Sequence, residues 1–188
     1  MEQQTIVVRG IRAEEWAEVK ELRVSALRDP VAHLAFLETV DEALARPDSF
    51  WRERAAGGAA GVGVRQFIAA EGANGRWVGT VTVLVERAGG DGFFGEGVPV
   101  DQGHLVGVYV RPEYRGVGLT ERLFRAAVDW CWEPAEPRLE RVRLLVHEDN
   151  ERAARFYRRY GFTATGVRCD EPGQPGKQNH EYAVARPS

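Results

Sequence analysis

Cysteine is nearly absent from this chain of 188 residues. Cys131 and Cys169 are its two, far apart and in no metal-ligand spacing. That excludes a disulfide-framed scaffold, and reduced thiols are the plain reading. The four histidines do not cluster with acids or thiols, so no metal site is expected. A dominant charge is lacking too. Net charge is −3, from 25 basic and 28 acidic residues that are interleaved. Without a basic stripe there is no general grip on a phosphate backbone, and a nucleic-acid partner is not expected. No apolar run approaches the ~18 residues of a membrane span. The opening residues MEQQTIVVRG lack a basic segment followed by an apolar one, so neither membrane attachment nor a signal peptide is expected. A cytoplasmic location follows as the expectation.

What is present is ordinary globular material. Hydrophobic residues make up 44% and charged residues 28%, enough for one domain over residues 1–188 with its own core. Thr5–Arg9 is a short β-branched run and reads as a strand. Glu14–Arg28 carries a helical apolar stripe that Asp29-Pro30 stops. Leu34–Ala45 and Ser49–Ala56 read as one broken helix or two short ones around Pro47, and Gly57–Gly63 as a flexible connection. Val64–Ala70 and Trp77–Glu86 read as strands joined by a Gly72–Gly75 turn, and Ala88–Gly103 as a long loop. Leu105–Val110 is a strand, Leu119–Trp132 a helix ended by Pro134 and Pro137, and Val142–His147 a strand. Asn150–Tyr160 is a helix that Gly161 can close, and Phe162–Cys169 and Glu181–Ala185 are the last strands. This order implies a mixed α/β (α+β) sheet with an antiparallel middle, not a doubly wound fold.

The chemistry concentrates in Leu105–Phe124, LVGVYVRPEYRGVGLTERLF. A strand runs into a turn with Gly116 and Gly118 and then straight into a helix. Glycines permit positive φ and close backbone approach, and the free N–H groups of a first helical turn favour an anion such as a phosphate. Thr120 can add a hydroxyl donor, and Arg115 or Arg122 a positive charge. Leu119-Thr120 stands where a P-loop needs Lys-Ser/Thr, and Glu121 where a Rossmann fingerprint needs its third glycine. Neither nucleotide reading fits. A turn that only lets strand and helix pack is the bland alternative.

A second pattern comes later: Asn150, Ala153-Ala154, Phe156-Tyr157, then Tyr160-Gly161-Phe162. With Arg115-Gly116-Val117-Gly118-Leu119-Thr120 placed after a strand, the chain resembles the GNAT superfamily of N-acetyltransferases over nearly its whole length. Thr120 departs from the family pattern, which has Gly or Ala there. The resemblance implies a mostly antiparallel mixed sheet of six to seven strands, splayed between strands 4 and 5 and flanked by about four helices. It implies acetyl-CoA as cosubstrate. The amides of Gly116, Val117, Gly118, Leu119 and Thr120 would hold its diphosphate, with Arg115 among the cofactor-binding residues as a positive charge. Val108, Tyr109 and Val110 would pair with the pantetheine arm, and Gly107 would carry a bulge. The N–H of Val108 would polarise the thioester carbonyl. Asn150 would cap its helix and contact the CoA chain, and Tyr157 would protonate the departing thiolate.

Acetyl transfer to an amine also needs a base, because an alkylamine is mostly protonated at neutral pH. The candidates are His104 at the mouth of the central strand, Glu86 at the end of the preceding one, Asp101, or a chain of water. His147 reads as structural. Phe36, Phe50 and Trp51 are candidates for the acceptor wall, with Phe93 and Phe94 closing over it. The acceptor is a primary amine on a small molecule or a protein, and a homodimer is possible. The competing reading is a non-catalytic acyl-CoA-binding module.

Overall fold

The computed structural model describes residues 5–133 and 137–188. The opening Met1–Gln4 and the helix-ending role of Pro134 lie outside those residues. Seven strands and five α-helices follow in the order β1 (Ile6–Gly10), α1 (Trp16–Leu27), α2 (Val40–Ala45), α3 (Asp48–Ala60), β2 (Val64–Glu71), β3 (Trp77–Glu86), β4 (Gln102–Val110), α4 (Leu119–Trp132), β5 (Arg141–His147), α5 (Glu151–Tyr160), β6 (Thr163–Asp170) and β7 (Gln178–Ala185). The strand order is β1-β2-β3-β4-β5-β7-β6 in one sheet. β1 with β2, β5 with β7, and β6 with β7 are antiparallel, while β4 runs parallel to β5.

The chain divides into two compact units. One comprises the described residues up to Val83 with Gly107–Ala127, the other Leu84–Val106 with the described residues from Val128 onward. In the first unit, Trp51 and Ala55 on α3, Leu22 on α1, Ile68 on β2 and Tyr109 on β4 share one buried cluster, and Phe36 and Phe50 pack against it. Burial of side chains this large supplies the main favourable term, about 2 kcal/mol each. Thr39 and Glu42 form a reciprocal capping box that starts α2.

The helix read from Leu34 begins only at Val40, after its Thr39 cap, and three further boundaries depart from the sequence reading for a tertiary reason. α3 continues through Gly57 and Gly58 to Ala60 and closes on Gly61 in the left-handed conformation. A Cβ on Gly58 would lie 3.1 Å from Ile11 and 3.2 Å from Gln66, so glycine here allows close helix-to-strand packing. The segment is therefore helix, not a flexible connection. β4 begins at Gln102, because Gln102, Gly103 and His104 pair with Arg141, Val142 and Arg143 of β5. β7 begins at Gln178 and stays in register with β5 through Asn179 and His147. Gln102, His104 and Asn179 in these extensions are buried and hydrogen-bonded, which composition alone reads as loop.

Candidate functional site

The first unit presents the glycine turn. Two arginines fasten its approach. Arg111 donates from Nε to the Trp77 carbonyl at 2.8 Å and makes a two-pronged contact with Glu21 at 2.7 and 2.8 Å, while its N–H bonds Val78 O at 2.9 Å. Arg115 donates to Val110 O at 2.8 Å, pairs with Asp29 and lies over the Tyr109 ring. Its backbone N–H is taken by Pro112 O at 3.2 Å. These hydrogen bonds of Arg115 set the shape of the turn. Arg122 likewise donates to the Ile6 carbonyl at 2.8 Å.

Beyond Arg115 the pattern changes. Among the described residues, no hydrogen bond uses the N–H groups of Gly116, Val117, Gly118, Leu119 or Thr120, while Gly118 O accepts from Arg122 N at 3.2 Å to open α4. Gly116 and Gly118 both adopt φ of +79°, and a Cβ on either would meet no protein atom within 4 Å. Val117 points outward at 72% exposure, and Leu119 anchors the helix in the core. A row of unspent donors over bare glycines at the positive end of a helix fits a diphosphate. In the strand before it, Tyr109 and Val110 are buried, Val108 is half-buried, and Gly107 adopts φ of +63°.

The second unit holds the titratable candidates, and two of them touch. His104 Nδ1 lies 3.0 Å from Glu86 Oε1, both side chains buried. Glu86 also accepts from Gln102 Nε2 at 2.7 Å and from Arg143 at 2.8 and 2.7 Å. These bonds occupy all of its lone pairs. Burial works to raise the Glu86 carboxyl, but the hydrogen bonds from His104 and Arg143 overcome it and hold the group at about 2. Both oxygens of Glu86 are thus engaged, and one of them orients His104. Burial lowers the His104 pKa, with Glu86 opposing and Arg143 assisting. A neutral imidazole that donates Nδ1–H to Glu86 carries its lone pair on Nε2, the proton-accepting form.

Arg143 is the centre of this network, and the sequence reading missed it. It also meets Glu96 at 2.5 Å and Glu181 at 3.2 Å, and Arg141 joins Glu181 to Gln102. The available signal was a pair of arginines, Arg141 and Arg143, alternating inside an otherwise apolar strand. Glu96 brings the Ala88–Gly103 loop into the network, and in that loop Phe93 stands edge-on to His104 with ring centroids 5.7 Å apart. Asp101 accepts from Ala88 N at 2.9 Å and shapes the start of the loop.

On α5, Asn150 Oδ1 accepts from Ala153 N at 3.2 Å, the cap its residue type suggests. Tyr157 is buried, and burial pushes its phenol up to about 12. Proton exchange with a thiolate is then further from balance than the free phenol and thiol values imply. His147 accepts from Asp149 N at 3.1 Å at the end of β5. Among the described residues, no group of three or more His, Cys, Asp or Glu is placed to hold a metal ion, and no helix is long and apolar enough to cross a membrane.

Comparison with known proteins gives the family to which this fold and glycine turn belong. Residues 16–162 match the acetyltransferase (GNAT) family, and the chain belongs to it. A Bacillus subtilis (strain 168) protein with the provisional name ribosomal protein bS18-alanine N-acetyltransferase is 35% identical over 77 residues, 41% of this chain and 49% of its own length. The chain thus spans about half of that relative. Two solved structures share the fold. Ribosomal-protein-S5-alanine acetyltransferase from Vibrio fischeri superposes with a TM-score of 0.71 at 17% identity, over 98% of this chain and 95% of that one. Arabidopsis thaliana NAA60 in complex with acetyl-CoA superposes with a TM-score of 0.68 at 18% identity, over 97% and 100%.

Proposed function

We propose that this protein transfers acetyl from acetyl-CoA directly to a primary amine within a ternary complex, and that the amine is a peptide N-terminus. The observation that carries the reading is the row of unspent N–H groups from Gly116 to Thr120 over two bare glycines. Family membership and the names of the relatives support acetyl transfer and a protein amine. Acetyl-CoA supplies an activated acyl group. The residues of this chain do the rest. Gly116–Thr120 bind the diphosphate. The N–H of Val108 polarises the carbonyl, and Tyr109 and Val110 align the arm. His104 takes a proton from the amine, directly or through water, while Glu86 fixes its tautomer. As the new C–N bond forms and the C–S bond breaks, Tyr157 gives its proton to the departing sulfur.

The direct test is thiol release from acetyl-CoA with a panel of alanyl peptides, free amino acids and polyamines. Amine-dependent release with acetylated product is expected. Tight acetyl-CoA binding with no release from any amine would leave a binding module in its place. Gly118→Ala tests the diphosphate seat. The new Cβ meets no protein atom, so the loss of stability comes from positive φ alone, about 1 kcal/mol. It would intrude on a ligand, so acetyl-CoA affinity should fall more than tenfold by calorimetry, well beyond the stability change. Unchanged affinity would sink the assignment of this turn.

A further inference from the structure

The second unit carries, over residues 89–98, a hairpin with one side chain that the chemistry above leaves unused. Gly89 N donates to Val98 O at 2.9 Å, Val98 N to Gly90 O at 3.0 Å and Gly92 N to Glu96 O at 2.6 Å, with a bridge between Asp91 and Gly97. Val98 is buried at its foot. At the tip, one carboxylate oxygen of Glu96 accepts from Phe94 N at 2.8 Å and the other meets Arg143 at 2.5 Å. A segment that reads as loop in the sequence is thus fastened at its foot and at its tip. Phe93 sits on that tip. Its ring stands edge-on to Phe94, with centroids 5.0 Å apart, and edge-on to His104 at 5.7 Å.

Phe93 is 50% exposed, while His104 beside it is 2% exposed. A lone apolar side chain on a surface is ordinary. This one differs because two ring contacts and a hydrogen-bonded tip hold it, so its uncovered surface has a fixed place next to the base. The charges around His104 have little to offer an acceptor. Glu86 is engaged by His104, Gln102 and Arg143, and Arg143 is engaged by Glu86, Glu96 and Glu181. Asp91, the other carboxylate of the hairpin, is exposed. Beside the imidazole itself the free surface is aromatic. An amine within about 3 Å of the imidazole, or one water away, brings its own side chain or that of the next residue onto the Phe93 ring.

We propose that Phe93 receives an apolar side chain of the acceptor, carried by the first or second residue at the amine, so that N-termini with such a residue are preferred. This rests on the N-acetyltransferase reading, with His104 as the base, and adds the class of acceptor. The chemistry is the same from either residue, and the experiment separates the two. Contact with the ring takes apolar surface of both partners out of water, and one well-placed aliphatic group discriminates by about tenfold or more. Leu and Asn have nearly the same shape, so comparing them isolates polarity.

The assay compares kcat/KM for peptides with Leu, Asn or Lys at the first residue and, separately, at the second. At the position that meets the ring, Leu should exceed Asn by about tenfold, chiefly through KM, and Lys should do no better than Asn. Phe93→Ala should bring the Leu-to-Asn ratio close to one. Phe93→Tyr keeps the ring and its contacts and should hold the ratio. Equal kcat/KM for Leu and Asn at both positions in the wild type, Lys at or above Leu, or a ratio unmoved by Phe93→Ala, overturns the proposal. If the ratio stays while the acid limb of the kcat/KM profile moves to higher pH, the ring only keeps water from His104, and the proposal falls. A calorimetric titration with the N-acetylated leucyl and asparaginyl peptides reads the contact without turnover. Weaker leucyl binding to Phe93→Ala with no acetylation of any amine would keep the contact and remove the enzyme reading. Equal binding of the two peptides to the wild type would remove the contact.

Discussion

Tyr157→Phe is expected to lower kcat by about a hundredfold or more while leaving the Kd for acetyl-CoA unchanged, since positioned proton transfer is worth about 10²–10⁴. The substitution removes one oxygen from a buried ring. Burial holds the phenol at about 12, so Tyr157 is a proton donor at every pH at which the protein would be assayed. It is also a reluctant one. A thiol ionises near 8.5, so full transfer before the bond breaks is uphill, and the proton must move as the C–S bond lengthens. The loss should therefore fall on kcat and not on binding. A donor whose thiol leaves readily as the thiolate should restore part of the rate in the variant. Steady-state kinetics with one acceptor, beside calorimetry with acetyl-CoA, reads both quantities. A kcat within twofold of wild type would show that the sulfur obtains its proton elsewhere.

Local signals made the glycine turn, the α5 cap and the order of elements legible in the sequence. Gly116 and Gly118 announce positive φ wherever they occur between a strand and a helix, and Asn150 announces a cap. These depend on neighbours in the chain. The buried ionic network does not. Glu86, Glu96, Arg143 and Glu181 come from four separate segments and meet only after folding. His104 illustrates the consequence. Read alone, a histidine at a loop–strand border is solvated. In the structure it lies inside β4, buried, because Glu86 and the β4–β5 register enclose it. Gly58 errs in the opposite direction: its propensity reads as flexible, while packing against Ile11 and Gln66 makes it helical.

Arg143→Met should be the most destabilising single change, at about 3–5 kcal/mol near neutral pH, because it takes the guanidinium from the buried carboxylates of Glu86 and Glu181. Its pH dependence separates this cause from simple loss of packing. In the wild type the Glu86 pKa is depressed from 4.5 to about 2. Its contribution to stability is therefore complete above about 4.5 and is lost as pH falls from there toward 2, on the order of 3 kcal/mol in all. Without the guanidinium, His104 and Gln102 alone oppose burial, and the folded-state pKa of Glu86 rises toward its unfolded value. The variant then loses less stability than the wild type as acid protonates Glu86. The two stability curves should converge as pH falls below about 4.5, measured by urea unfolding at each pH. Adding Glu86→Gln to Arg143→Met should recover part of the loss at pH 7, because one stranded charge is gone. A packing defect would instead give a constant gap at every pH and no recovery in the double variant.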